Sequence, residues 1–228
     1  MKLPIAETFH SIQGEGTWAG TPMLFVRLAG CSVGRYTKSG LVALNAMDAQ
    51  RVVDGKHSEC ETVDGQCFVC DTDYHKHEEM TPERVLSDLW ENHVCVTGGE
   101  PFLHQGKGLE ALISACQKKK VKVHIETSGT VLVERTTSWW AWITCSPKKG
   151  FLRDNLKTVD EWKFVIGPDY DEGKILETIG SSTVPVYIQP VNTVDAIERA
   201  NLKLCQELQR KHPEWRISIQ LHKFLGLQ

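Results

Sequence analysis

The stretch Val94-Cys95-Val96-Thr97-Gly98-Gly99-Glu100-Pro101 decides the fold of this chain. Its first four residues form a short apolar run that predicts a strand, and the run stops at two glycines, a glutamate and a proline. A strand that ends in this way offers bare backbone and a carboxylate to a polar ligand. Strand-like and helix-like runs alternate on both sides of it, so the stretch belongs to a repeated pattern.

The alternation predicts a parallel α/β sheet with right-handed crossovers. There are too few units for a complete eight-stranded barrel, which favours a partial, open TIM-like barrel of parallel strands. We expect residues 1–228 to form a single domain. The predicted strands are residues 23–28, 94–97, 121–126, 141–145, 162–166, 184–188 and 216–220. The predicted helices are residues 81–92, 109–119, 171–179 and 194–211.

Polar residues follow several of these strands at the point where each apolar run stops. In barrels of this type, chemistry collects at the carboxyl ends of the strands. The sequence therefore predicts a ligand surface along one edge of the sheet. Its members include Arg27, Thr97, Glu126, Ser146, Lys148 and Gln189.

Three cysteines suggest the chemistry of that surface. Cys31 ends the first predicted strand, and Cys67 and Cys70 stand in the string Cys67-Phe68-Val69-Cys70-Asp71-Thr72. Three thiolates suit an iron–sulfur cluster with one iron left open for a ligand. Zinc is the rival, because a Cys-x-x-Cys pair is equally typical of zinc sites. A zinc site would draw on His57, Cys60, Cys67 and Cys70, with His75 and His77 nearby.

Composition excludes several other classes of protein. A net charge of −3 argues against a nucleic-acid binder, and the basic run at residues 118–120 fits the end of a predicted helix. No apolar stretch approaches the roughly 20 residues of a membrane span, and residues 1–7 lack the apolar segment of a signal peptide. We therefore expect a cytoplasmic protein with reduced thiols. Four further cysteines are predicted to be buried packing residues: Cys95, Cys116, Cys145 and Cys205.

Residues 32–66 do not fit the alternating pattern. A loop of this length is uncommon in a compact domain, so it is functional, partly helical or mobile. Residues 41–51 could form a short helix within it. We predict an insertion that flanks the metal-binding cysteines and that docks an electron donor.

The motifs resemble those of the radical S-adenosylmethionine (SAM) superfamily, whose usual pattern is Cys-x3-Cys-x2-Cys. Residues 7–16 and 25–31, with the segments 126–129, 146–148, 189–190 and 220–224, narrow the resemblance to the 7-carboxy-7-deazaguanine synthases. The resemblance covers nearly the whole chain. The departure is that 35 residues separate Cys31 from Cys67, which leaves Cys60 as an alternative ligand.

The resemblance implies a lyase that converts 6-carboxy-5,6,7,8-tetrahydropterin to 7-carboxy-7-deazaguanine by ring contraction with loss of ammonia, a step of queuosine-type 7-deazapurine biosynthesis. It implies a [4Fe-4S] cluster, S-adenosyl-L-methionine as radical source, and Mg²⁺. It also implies a homodimer, a small-molecule pterin substrate and an electron donor such as flavodoxin, with no nucleic acid or membrane as partner.

The resemblance also assigns residues. The cluster would be held by Cys31, Cys67 and Cys70, and Mg²⁺ by Thr72. The substrate would contact Ile12, Gln13, Gly14, Glu15, Arg27, Thr97 and the carboxylate of Gln228. SAM would contact Val69, Cys70, Asp71, Gly99, Glu100, Ser146, Pro147, Lys148, Gln189, Pro190, Val191 and Asn192. No residue is assigned as a catalytic acid or base.

Two alternatives remain to be separated by experiment. A glycyl-radical activase shares the cysteine and Gly-Gly-Glu-Pro features but acts on a protein, and the loop of residues 13–16 argues against it. A zinc-stabilised binding module would use Cys60, Cys67, Cys70 and a histidine. Iron content and colour would separate that module from the enzyme.

Overall fold

A computed structural model describes residues 1–33, 35–36, 58–70, 77–134, 140–192 and 198–227. The helix predicted at residues 41–51 and the first residues of the helix predicted at 194–211 lie outside this part of the chain. So do three residues assigned to the site by resemblance, namely Asp71, Thr72 and Gln228.

A nine-stranded mixed sheet dominates the described residues. Its spatial order is β12-β11-β10-β9-β8-β7-β2-β1-β6. The strands are β1 Leu3–Ile12, β2 Pro22–Leu28, β6 Glu78–Met80, β7 His93–Gly98, β8 Lys122–Thr127, β9 Trp142–Cys145, β10 Glu161–Ile166, β11 Val186–Pro190 and β12 Arg216–Ile217.

Across the sheet, from β2 through β7 and on to β12, every pair of neighbouring strands is parallel. This confirms the predicted open, mostly parallel α/β sheet. The sequence did not predict β1, which pairs antiparallel with both β2 and β6 at the sheet edge. In the middle of β1 buried and exposed positions do not alternate, since Glu7 and Thr8 are both exposed. A period-two signal is therefore missing from that part of the strand.

Five helices accompany the sheet in the described residues, and the first four contribute buried side chains to its hydrophobic core. They are α1 Pro82–Val85, α2 Leu109–Lys118, α3 Glu172–Ile179, α4 Arg199–Lys211 and α5 Leu221–Phe224. Three short 3-10 helices lie between strands at Gly16–Trp18, Pro101–His104 and Arg153–Lys157.

The first helix is shorter than predicted. Thr81 caps it, because its side-chain oxygen accepts a hydrogen bond from the Arg84 amide, and Pro82 stands in its first turn. The helix nevertheless ends at Val85 rather than near residue 92. Glu91 is buried, and its Oε1 lies 2.5 Å from Nδ1 of His10 on β1. Beyond Val85 the chain turns and brings Glu91 to β1 instead of continuing the helix.

The central strands are buried on both faces. Leu24 and Val26 of β2 pack in the cluster beneath the helices, whereas Met23 and Phe25 pack on the opposite face with Cys95. Because side chains alternate along a strand, the opposite face also receives Arg27 and Thr97, one step nearer the carboxyl ends. The inner face of the open barrel is thus apolar at its floor and polar at its rim.

The described part of the insertion and the segment that follows it form a second, three-stranded antiparallel sheet of β3 Arg35–Tyr36, β4 Ser58–Glu61 and β5 Cys67–Val69. In the part of the chain that the structure describes, no helix is long and apolar enough to cross a membrane.

Candidate active site

A cavity of about 340 Å³ opens at the carboxyl ends of the parallel strands. Fifteen of the residues assigned by resemblance line it. On the predicted substrate side these are Ile12, Gln13, Gly14, Glu15, Arg27 and Thr97. On the predicted cofactor side they are Cys31, Cys70, Gly99, Ser146, Lys148, Gln189, Pro190, Val191 and Asn192.

A charged network occupies the substrate side of this cavity. The ammonium group of Lys163 is hydrogen-bonded to the carboxylate of Glu15, and it lies 3.8 Å from Oε2 of Glu126. Gln13 Nε2 donates to Glu126 Oε1 at 3.1 Å, and Gln189 Nε2 donates to Glu15 Oε1 at 3.0 Å. These three charged side chains sum to one formal negative charge, and Arg27, Lys148 and Lys223 line other parts of the same cavity.

Burial and charge act in opposite directions on this network. Burial alone would raise the pKa of Glu15, but the positive charge and hydrogen bond of Lys163 hold that pKa well below its usual range. Burial alone would lower the pKa of Lys163, but the charges of Glu126 and Glu15 raise it. Both partners are therefore ionised at neutral pH.

Sequence reasoning missed Lys163. The residue stands inside the apolar run 162–166, where Trp162, Phe164 and Ile166 are buried in the hydrophobic core. A lysine within such a strand is an available signal, because charged residues are almost never fully buried unless they are paired. Its partner Glu15 lies far away in the chain, so the sequence did not reveal the pair.

Arg27 stands at the end of β2, in register with Thr97 of β7. Its Nε lies 3.2 Å from Oε2 of Glu7, and its guanidinium lies 5.3 Å from the centre of the Phe9 ring. A planar guanidinium held in this way presents donors in a geometry that matches a carboxylate.

The C-terminal segment closes one side of the cavity with Gln220, His222 and Lys223. The Leu221 amide donates to the Gly14 carbonyl at 3.0 Å. A Cβ placed on Gly14 would lie 1.8 Å from Nδ1 of His222, so only glycine allows this close approach. Burial lowers the pKa of His222, although the negative charge of Glu15 opposes the shift.

The predicted cofactor side of the cavity contains buried polar side-chain atoms that make no hydrogen bond within the described residues. Oε1 of Gln189 and both amide atoms of Asn192 are buried with no hydrogen-bond partner among the described residues. Buried polar groups are usually hydrogen-bonded, so orphaned groups in a cavity wall indicate a bound polar ligand or water. These amides fit the donors and acceptors of a molecule such as SAM.

Thiols lie at the same side of the cavity. Cys31, Cys60 and Cys70 line it, whereas Cys67 is exposed and outside the lining. Cys60 faces Phe68 across the β4–β5 pair, and Cys67 faces Glu61. The donor set suits an iron–sulfur cluster, which cysteine thiolates hold. Asp71, Thr72 and the side chain of Val69 lie outside the described residues.

Two residues assigned to the cofactor lie elsewhere. Glu100 is fully buried and outside the cavity lining, where its carboxylate accepts from Thr127 Oγ1 at 2.8 Å and from the Ser128 amide at 2.9 Å. Its acceptor capacity is thus used to tie β7 to β8. Pro147 is also outside the lining, and its carbonyl accepts from the Val63 amide at 3.1 Å.

Gly98 and Gly99 allow close backbone packing and also leave bare backbone at the cavity. A Cβ on Gly99 would lie 1.7 Å from the Gly30 carbonyl oxygen, and one on Gly98 would lie 2.5 Å from backbone atoms of Leu28. Gly98 also has a φ of +112°, which side chains disfavour. Gly99 still lines the cavity, so the bare backbone faces both a neighbouring strand and the site.

The described side chains do not distinguish a zinc site from an iron–sulfur cluster. No three His, Cys, Asp or Glu side chains within the described ranges are grouped closely enough to hold a metal ion. His57 and His75 lie outside those ranges, and His77 is exposed.

The chain is similar to known proteins over almost its whole length. The 7-carboxy-7-deazaguanine synthase of Synechocystis sp. is 31% identical over 229 residues, which cover 99% of this chain and 93% of the relative. The synthase of Escherichia coli K12 is 29% identical over 247 residues, covering both chains fully. The crystal structure of QueE from Escherichia coli is similar with a TM-score of 0.68, at 25% identity over 97% of this chain and 95% of that one. No family model matches the chain.

Proposed function

The chain belongs to the family of 7-carboxy-7-deazaguanine synthases, and on that premise we propose that it converts 6-carboxy-5,6,7,8-tetrahydropterin to 7-carboxy-7-deazaguanine. The reaction contracts the ring and releases ammonia. Its product would enter queuosine-type 7-deazapurine biosynthesis, which agrees with the names of the relatives.

One observation carries the proposal. A single cavity has thiols at one side, a net negative polar network at the other, and orphaned amides in its wall. A radical SAM enzyme needs this combination, because cluster, cofactor and substrate must meet in one enclosed space. A protein substrate would require an open groove, whereas this cavity suits a small molecule.

We assign the cluster to Cys31, Cys67 and Cys70, and Mg²⁺ to Thr72. SAM would contact Gly99, Ser146, Lys148, Gln189 and Asn192. When bound, the cluster and SAM supply the radical chemistry, and the protein supplies binding and orientation. The orphaned amides of Gln189 and Asn192 would gain hydrogen bonds on binding, which offsets the cost of burying them unpaired.

Arg27 would bind the substrate carboxylate, because its guanidinium stands at the cavity rim on the same face as Thr97. The pterin edge carries N–H donors, and the carboxylates of Glu15 and Glu126 line the cavity, where they are suited to accept hydrogen bonds. Lys163 keeps its proton, and its charge holds the pKa of Glu15 well below the usual range, so Glu15 remains an acceptor at neutral pH.

Turnover of anaerobically reconstituted protein tests this assignment. With SAM, Mg²⁺, a reductant and the carboxytetrahydropterin, we expect iron-containing brown protein and a product of the mass of 7-carboxy-7-deazaguanine. A tetrahydropterin without the 6-carboxyl group should bind weakly. Arg27→Lys should reduce the difference in binding affinity between the pterins with and without this group. Colourless protein with stoichiometric zinc, or no product from the carboxytetrahydropterin, would contradict the proposal.

A flavodoxin-type electron donor and a homodimer are part of the same proposal. Reduction kinetics with flavodoxin, compared with dithionite, test whether residues 32–66 dock the donor. Deletion of those residues with unchanged flavodoxin kinetics would reject that role. The molar mass of the protein in solution tests the homodimer.

A further inference from the structure

The end of the insertion forms a hairpin with the residues that follow it, and the second strand of this hairpin leads from Cys67 to Cys70. Strands β4 and β5 are joined by residues 62–66, which we name the docking turn. The Thr62 amide donates to the Gln66 carbonyl at 2.8 Å, and the Gly65 amide donates to the Thr62 carbonyl at 3.1 Å. Cys67 follows the docking turn directly, so a displacement of the turn would move the cysteine.

Gln66 connects the docking turn to the end of β10. Its Nε2 donates to the Val165 carbonyl at 2.9 Å, and its Oε1 accepts from the Gly167 amide at 2.9 Å. The same Nε2 also donates to Asp64 Oδ2 at 2.8 Å. The side chain is buried, and its hydrogen bonds with Asp64 and Gly167 are sheltered from water. One amide thus holds backbone groups on both sides of Ile166.

A second set of contacts connects the docking turn to the loop after β9. The Val63 amide donates to the Pro147 carbonyl at 3.1 Å, and the Lys149 amide donates to the Glu61 carbonyl at 2.8 Å. The side chains of Lys149 and Glu61 form an ion pair at 2.8 Å that is largely exposed. Exposed pairs contribute little, so the buried amide of Gln66 is the stronger side-chain attachment.

These contacts restrain a segment that the long spacing between Cys31 and Cys67 leaves weakly constrained. With 35 residues between Cys31 and Cys67, chain connectivity alone leaves the two cysteines far less constrained than a three-residue spacing does. Val165 lines the cavity, two residues beyond Lys163 on the same strand. The docking turn therefore attaches the segment of Cys67 and Cys70 to β10, the strand that carries Lys163.

From this arrangement we infer that Gln66 is a positioning residue, which fixes the hairpin of Cys67 and Cys70 to the end of β10 and thereby to the cavity. The inference rests on the proposed function, in which these cysteines hold the cluster. It assigns a structural role to the insertion that is separate from any docking of an electron donor.

Two variants test the attachment. Gln66→Met keeps the length of the side chain but removes its hydrogen bonds. Gly167→Ala leaves the hairpin sequence intact, and its Cβ would lie 2.7 Å from Gln66 Oε1, which displaces the amide. Gln206→Met, at an exposed position of α4, is the matched control. Gly167→Ala also serves if Gln66→Met fails to fold.

The first measurement is hydrogen exchange of the apoprotein. Amides of residues 66–70 and 167 should exchange at least several-fold faster in both variants than in the wild type and the control. The second is the rate at which an iron chelator removes the reconstituted cluster, which should rise several-fold in the same two variants. Unchanged exchange at residues 67–70, or an unchanged rate of cluster loss, would overturn the inference.

The two measurements separate the inference from the proposed function. If the wild type takes up no iron–sulfur cluster, the proposed function fails, and with it the relevance of the hairpin to a cluster. Faster exchange in the apoprotein variants would still establish the mechanical attachment. If the wild type is active and its cluster equally stable in all variants, the proposed function stands and the positioning role of Gln66 is rejected.

Discussion

At the scale of single residues, Lys163 pairs with the buried carboxylates in the cavity wall. It is buried between Glu15 and Glu126, so it compensates two carboxylates that would otherwise be costly to keep ionised away from water. Its position inside an apolar strand makes it a conspicuous residue in the sequence. Its role depends on Glu15, which comes from the loop after β1.

We predict that Lys163→Met lowers the free energy of unfolding by about 3 kcal/mol or more, because it leaves buried charge uncompensated. Lys203→Met, at an exposed position, should change it by less than about 0.5 kcal/mol. Urea unfolding measures both. The double variant Glu15→Gln/Lys163→Met should recover part of the loss. Equal stability of the two single lysine variants would contradict the buried pair.

His124 lies on the floor of the barrel. Its Nε2 is 2.8 Å from Nδ1 of His93, and its ring packs edge-on against Trp18. Burial, together with the charges of His93 and Lys122, lowers the pKa of His124 to about 3. The folded protein therefore holds this imidazole neutral where the unfolded chain protonates it.

This difference predicts a loss of stability in acid. As pH falls below about 6.5, the unfolded chain binds a proton that folded His124 does not accept until about pH 3. Between pH 7.5 and 5.0, the histidine should lower the free energy of unfolding by about 2 kcal/mol. Urea unfolding of wild type and His124→Gln at both pH values checks this. An identical pH dependence would contradict it.

At the scale of elements, the ends of neighbouring strands are held together by backbone contact. The Gly99 amide donates to the Leu28 carbonyl at 3.1 Å, and the Glu100 amide donates to the Gly30 carbonyl at 2.9 Å. The Gly-Gly-Glu-Pro stretch therefore joins β7 to the end of β2, next to Cys31. The same stretch that predicted a ligand-binding turn is also a structural junction.

We predict that Gly99→Ala destabilises this junction by about 3 kcal/mol, because the new Cβ meets the rigid Gly30 carbonyl rather than a flexible side chain. Ser114→Ala is the control, since Ser114 is an exposed residue inside α2, where alanine is the better helix former. Its stability should be unchanged or slightly higher. Chemical denaturation compares the two, and equal stability would contradict the tight junction.

At the scale of the whole molecule, the eight cysteines divide into two groups. Cys95, Cys116, Cys145 and Cys205 are buried, which confirms their predicted role as packing residues. Burial raises the pKa of all four thiols, to about 12 for Cys116 and Cys205. Cys31, Cys60, Cys67 and Cys70 are partly or largely accessible and lie around the cavity opening and the hairpin.

This division predicts the alkylation of the reduced apoprotein. Four thiols should react quickly under native conditions, and the four buried thiols should react only at the rate at which the fold opens. Mass spectrometry of alkylated peptides identifies each group. Reaction of Cys145 or Cys205 in the fast phase would contradict the packing assignment. Under the proposed function, reconstitution of an iron–sulfur cluster should protect Cys31, Cys67 and Cys70.

The sequence by itself determined the class of fold and the strand ends that carry the site. Apolar runs, glycines and the cysteine pair are local signals, and they predicted an open parallel sheet with Arg27, Thr97 and Gln189 at one edge. Strand β1 and the early end of the first helix escaped prediction because contacts between distant segments decide them, such as Glu91 with His10.

Only the tertiary structure decided how the polar residues divide between site and scaffold. Glu100 and Lys163 are both charged residues at or in apolar strands, yet the first ties β7 to β8 and the second faces the cavity. Likewise, Gln66 contacts β10 across a hundred residues of chain. The free energy of a buried charge or amide depends on the partners that the fold brings to it, and sequence spacing does not specify those partners.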